Sequence, residues 1–152
     1  ERGYSVTGLD TGYYADCLIG HPGPEYPFLL RDTRDVTAED LRDVQSVIHL
    51  AALSNDPLGE LSPHLTEEIN LSATLQLAKL ARTAGVSRFV YASSQSMYGI
   101  SRTESEIDED SENKNPITAY ARTKWLAECE LMNMQSRDSS DHRIKIHQGY
   151  CR

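Results

Sequence analysis

Two short apolar runs bracket a stretch with helical spacing, and this arrangement limits the folds open to the chain. Ser46-Val-Ile-His-Leu-Ala-Ala52 and Arg88-Phe-Val-Tyr-Ala-Ser93 are continuous apolar segments of strand length. Such runs are expected of strands buried on both faces. Between them Leu65, Ile69, Leu71, Leu75, Leu77, Ala78, Leu80 and Ala81 recur at helical intervals, and Gly85 supplies a C-terminal stop. Buried strands alternating with helices imply an α/β protein with a parallel sheet and helices on both faces.

The flanking sequence extends the pattern. Tyr4 to Asp10 alternates and ends in an acid, which reads as a strand. Residues 11 to 28 are rich in glycine and proline and read as a loop, and Phe28 to Asp32 is a second short strand. Thr37-Ala-Glu-Asp40 before Leu41 has the pattern of a helix N-cap. Residues 100 to 115 are polar, and the acidic cluster Glu104 to Glu112 reads as a solvated loop. Pro116 to about Gln135 is the last long helix; Ser136 to Arg152 is polar, with a weak strand candidate at Arg143 to Ile146.

Composition narrows the function classes. A chain of 152 residues suffices for one domain. Its net charge of −8 argues against a nucleic-acid partner, because phosphates need surfaces rich in Lys and Arg. No apolar stretch approaches the ~18 residues of a membrane span, and the start, Glu1-Arg2-Gly3, has no signal-peptide core. Cys17, Cys129 and Cys151 are odd in number and far apart, which predicts reduced thiols in a cytoplasmic setting. The five histidines have no metal-ligand spacing, so no metal is expected.

The chemistry lies in Pro116-Ile-Thr-Ala-Tyr120-Ala-Arg-Thr-Lys124. Four residues apart on a helix, Tyr120 and Lys124 share a face. A nearby cation favours the charged form of a phenol and so lowers its pKa. Such a phenol can take a proton from an alcohol or return one to a carbonyl.

Together with these, Val47-Ile-His-Leu-Ala-Ala52, Asn70, and Arg88 to Gly99 with its Ser93-Ser94 pair resemble the extended short-chain dehydrogenase/reductases, and within them the NAD-dependent epimerase/dehydratase family acting on nucleotide sugars. The resemblance runs from about residue 4 to about residue 135. It implies a Rossmann-like, doubly wound parallel sheet, with 1–135 a partial NAD-binding domain and 136–152 a polar tail. Gly3, Gly8 and Gly12 do not reproduce the GxGxxG turn that holds the pyrophosphate in such folds. The sequence therefore reads as an internal piece of a longer enzyme, incomplete at the N-terminal cofactor turn and in the C-terminal substrate part.

The resemblance also implies roles. Asp10 would accept hydrogen bonds from the adenosine ribose and favour NAD over NADP. Asp32 and Thr33 stand where an Asp meets the adenine amino group; a surface turn is the alternative. Leu50, Ala51 and Ala52 would pass beside the cofactor, and His49 is a packed strand residue. Asn70 would help position the active-site lysine through backbone and water; a solvated helix residue is the alternative. Ser94 would orient the reacting oxygen, Ser93 would contact the nicotinamide side, Tyr120 would be the acid/base, and Lys124 would hold the nicotinamide ribose; Tyr98 and Trp125 read as packing. In the sugar-nucleotide dehydratases an Asp-Glu pair follows the catalytic Ser or Thr, and here those positions are Gln95-Ser96. That departure favours a nucleotide-sugar epimerase, with a reductase or dehydrogenase, a dehydratase, and a noncatalytic NAD-binding protein or inactive fragment as alternatives. Homodimerisation through the helices at 65–83 and 117–135 is the assembly such a family implies.

Overall fold

A computed structural model describes residues 3–17, 19–20, 26–54, 56–100, 111, 113–136 and 145–149. Its strands are β1 (Gly8–Asp10), β2 (Phe28–Leu30), β3 (Ser46–His49), β4 (Arg88–Ala92) and β5 (Lys145–Gly149). Its α-helices are α1 (Asp56–Leu61), α2 (Pro63–Glu67), α3 (Ala73–Thr83) and α4 (Ala119–Ser136), with a π-helical turn, Glu68–Ser72, joining α2 to α3. All pairings are parallel: Leu9 lies opposite Leu29, Ile48 opposite Val90, and Val90 opposite His147. The β1–β2 and β3–β4–β5 ladders are separate sheets among the described residues.

The βαβ unit arises as the apolar periodicity requires. Leu77, Ala78 and Ala81 on α3 bury against Phe89 and Tyr91 of β4 and against Ala127 and Leu131 of α4. Removing a side chain the size of Phe89 or Leu131 from water contributes roughly 2 kcal/mol. Gly85 ends α3 in the left-handed conformation, with φ +80°.

Four expectations change. β1 is shorter than the alternation from Tyr4 implies, because residues 4–7 join no ladder. Thr37 to Asp40 does form a reciprocal cap, with Asp40 Oδ2 accepting from Thr37 N at 2.8 Å and from its hydroxyl at 2.7 Å. No α-helix follows: the bonds from Leu41, Arg42 and Val44 reach back three residues only, and Asp43 turns left-handed at φ +61°. β3 is buried on one face and not both, since Ile48 is 68% exposed while His49 is buried. The weak strand candidate in the polar tail is β5, begun two residues later; residues 143 and 144 and most of the acidic cluster lie outside the described residues.

Candidate active site

Within each ladder the candidate residues from the strands lie at the carboxyl end. Asp10 closes β1, Asp32 follows β2, Leu50 to Ala52 follow β3, and Ser93-Ser94 follow β4. Because the pairings are parallel, all of these are carboxyl ends, where open α/β sheets hold ligands.

α4 brings Tyr120 and Lys124 to the carboxyl end of β4. Thr118 caps it, accepting from Ala121 N at 3.1 Å. Two acids of α1 complete the N-terminus: Asp56 accepts the Thr118 hydroxyl at 2.7 Å and Glu60 accepts Ala119 N at 2.6 Å. Carboxylates are favourable there because the first amides of a helix lack partners and carry partial positive charge. α1 itself was not expected from the sequence, where Gly59 weakens its helical pattern.

The buried side of α4 includes polar residues near the site, and each has a partner. Thr123 accepts from Asn70 Nδ2 at 3.3 Å. Lys124 is 3% exposed; its Nζ donates to Ala92 O at 2.8 Å and lies 4.7 Å from the Tyr91 ring centroid. Burial lowers the Lys124 ammonium to about 8. Glu128 accepts the Ser93 hydroxyl. Tyr120 is half-buried on the same side. Burial, followed by the charges of Tyr120 and Glu128, raises the Tyr91 phenol well above its usual range.

Asn70 is buried and not a solvated helix residue. Its Oδ1 accepts Leu53 N at 2.8 Å and its Nδ2 donates to Leu53 O at 3.1 Å, fixing the segment after β3. It therefore grips Leu53 and Thr123, the residue before Lys124, and no hydrogen bond joins it to Lys124 itself. Thr74 donates to Asn70 O at 2.8 Å, so the His49 Nε2 found 2.8 Å from the Thr74 hydroxyl is the donor of that pair. Burial first, and the positive charge of Lys124 second, lower His49 to about 4. A neutral imidazole, bonded to Thr74 and packed beside the Phe89 and Tyr91 rings, fits the packed role expected of it.

Ser94 opens the turn Gln95–Tyr98, accepting from Ser96 N at 3.2 Å, and its hydroxyl lies 3.1 Å from that of Ser96. Asn115 N donates to Met97 O at 2.8 Å, tying this turn to the segment before α4. Gly99 is required at the junction: φ is +67°, and a Cβ would stand 2.2 Å from Asn115 O. Lys114 Nζ lies 4.3 Å from the Tyr98 ring centroid and 5.3 Å from that of Trp125, so both aromatics pack around a cation.

The β1–β2 ladder carries a second group. Asp10 Oδ1 accepts Gly12 N at 2.7 Å and remains exposed. Asp32 is clamped by Arg34, with Nε on Oδ1 at 3.0 Å and Nη2 on Oδ2 at 2.9 Å. The Arg34 hydrogen bonds hold its carboxyl below the ordinary aspartate range. Arg34 also reaches Glu68 at 3.1 Å, linking this ladder to the π turn. Asp32 lines an open depression of about 350 Å³ with Thr11, Tyr13, Leu30, Arg31 and Asp35. Thr33 is half-buried in the turn that follows Asp32. Glu60, Thr123 and Glu128 were missed from sequence; for Glu128 the spacing of four from Lys124 was the available signal.

The model of the NAD dependent epimerase/dehydratase family matches residues 1–142. The chain belongs to this family. A UDP-glucose 4-epimerase of Rhizobium meliloti (strain 1021) is 31% identical over 87 residues, 57% of this chain and 26% of that protein. A dTDP-D-glucose 4,6-dehydratase of Mus musculus is 32% identical over 98 residues, 64% of this chain and 27% of that protein. A dTDP-glucose 4,6-dehydratase from Streptomyces venezuelae, solved with NAD bound, shares the fold at a TM-score of 0.80 and 23% identity, over 97% of this chain and 46% of that one. The chain thus spans about a quarter of these curated relatives and about half of the solved structure. As an epimerase/dehydratase family member it has parallel α/β Rossmann-like architecture. Among the described residues, no helix is long and apolar enough to cross a membrane.

Proposed function

We propose that the protein carrying this chain is an NAD-dependent nucleotide-sugar epimerase. What supports the reading is that Lys124 reaches Ala92 O and Glu128 reaches Ser93, which sets the side of α4 bearing Tyr120 and Lys124 against the carboxyl end of β4, next to Ser94. The strand ends are compatible with the cofactor: Asp10 presents an exposed carboxylate to a ribose, Asp32 borders an open depression, and Ala51 and Ala52 leave room for close approach. Bound NAD would supply a reversible hydride acceptor for the carbinol carbon.

The chain's own residues handle the proton and the orientation. The Tyr120 oxygen, as phenolate, takes the proton of a sugar hydroxyl and, as the resulting phenol, later returns it. The Ser94 hydroxyl bonds the reacting oxygen as it gains and loses negative charge. Below pH 8 Lys124 is cationic; with one donor on Ala92 O, it keeps two for a ribose hydroxyl and the phenol edge.

Epimerisation is favoured over dehydration because Gln95 and Ser96 offer no carboxyl group for eliminating water, and the Ser96 hydroxyl is turned to Ser94. In the complete protein, UDP-glucose should yield its C4 epimer, and dTDP-glucose should yield no 4-keto-6-deoxy product. Tyr120→Phe should reduce turnover by at least about 10³-fold while NAD still binds. Full activity in this variant sinks the assignment.

A further inference from the structure

We propose that Glu128 is a positioning residue of this site: by accepting the Ser93 hydroxyl inside the core, it fixes the end of β4, and so Ser94, against the side of α4 that carries Tyr120 and Lys124. The inference rests on the catalytic reading above.

Glu128 is 6% exposed and Ser93 8%. A carboxylate is expensive to bury and is seldom found there without a partner. Packing alone does not call for one, since Ala127 and Leu131 beside it fill the same layer as apolar groups. The Ser93 hydroxyl donates directly to Glu128 Oε2, which compensates part of that cost. One turn earlier on the helix, Lys124 Nζ donates to Ala92 O at 2.8 Å. Two consecutive residues at the end of β4 are thus joined to two positions four apart on α4, one through its carbonyl and the other through its side chain. Ser94 is the next residue, so its placement relative to Tyr120 inherits both links. The negative charge of Glu128 also bears on Tyr91, which lies beneath Lys124.

The test uses the complete protein, with UDP-glucose and dTDP-glucose as probes, and the variants Glu128→Ala, Ser93→Ala, their combination, and Glu128→Gln. Glu128→Ala and Ser93→Ala should each lower kcat about tenfold with KM changed by less than about twofold, and Glu128→Ala, which removes no candidate cofactor contact, should leave NAD affinity within about twofold. The double variant should be no slower than either single one, because both remove the same bond. Glu128→Gln should recover kcat to within about threefold, since its amide oxygen accepts the same hydroxyl. Hydrogen exchange across residues 92–97 should quicken about tenfold in Ser93→Ala and stay near wild type in Glu128→Gln.

Multiplicative losses in the double variant, Glu128→Gln as slow as Glu128→Ala, or unchanged exchange in Ser93→Ala would overturn the proposal. Should Glu128→Ala not fold, Ser93→Ala and Glu128→Gln give the same decision. A wild type inert toward both probes counts against the epimerase reading, while the exchange comparison alone still decides whether Glu128 holds the end of β4.

Discussion

At the scale of single residues, the site is governed by the cost of burying charge. Lys124 sits almost wholly inside the protein, and burial lowers its pKa from 10.5 to about 8. Below pH 8 the ammonium is charged in both folded and unfolded chains, and the penalty is fully present. Between pH 8 and 10.5 the unfolded chain binds more protons, so stability rises with pH. Lys124→Met should remove that rise, worth on the order of 3 kcal/mol, and should abolish turnover. Urea denaturation of both proteins at pH 7.5, 9 and 10.5 measures it; parallel stability profiles would contradict the account. Tyr120, Lys124, Ser94 and Asp10 could be singled out in the sequence as candidates because their spacing and order are themselves the signal. Glu128 and Glu60 were not, because their partners, Ser93 and Ala119 N, lie 35 and 59 residues away.

At the scale of elements, the turn between α2 and α3 matters more than its apolar spacing suggests. The periodicity of 65–83 gave the helical course but could not reveal a π turn, because widening one turn leaves the apolar positions nearly in place. Such turns recur at functional sites. Here the turn contains Asn70, whose side chain meets both polar groups of Leu53 and the Thr123 hydroxyl. Asn70→Ala would leave the Leu53 N–H and C=O without those partners, at about 2–4 kcal/mol. Asn70→Asp should cost a comparable amount, because a carboxylate accepts from Leu53 N but cannot donate to Leu53 O. Thermal and urea unfolding of the two variants check this; a loss below about 0.5 kcal/mol in Asn70→Ala would mean the segment after β3 holds itself. The absent helix after Thr37 shows the opposite limit. A correct cap signal started a helical turn, but Asp43 adopted a left-handed conformation and ended it.

At the scale of the molecule, one core holds two ladders that, among the described residues, do not pair with each other. Leu9 of β1 and Val47 of β3 both pack on the cluster around Leu77 and Phe89, while Phe28, Leu30, Ile48 and Leu50 are more than half exposed. Alternating runs in the sequence predicted parallel strands, but the division into two ladders depends on long-range pairing that no local pattern encodes. The division bears on cofactor affinity. Within these 152 residues no GxGxxG turn follows a strand, so the pyrophosphate lacks the row of amides that such a turn supplies. The chain's net charge of −8 adds no general attraction for it. The remaining contacts, through Asp10, the depression beside Asp32, and Lys124, amount to a few hydrogen bonds at about 1 kcal/mol each. Millimolar affinity already corresponds to about 4 kcal/mol, before the losses of association are met. The 152-residue chain studied by itself should therefore bind NAD with a Kd weaker than about 1 mM and show negligible turnover of UDP-glucose. Calorimetric titration with NAD tests this directly, and micromolar binding would show that the residues already present form a sufficient cradle.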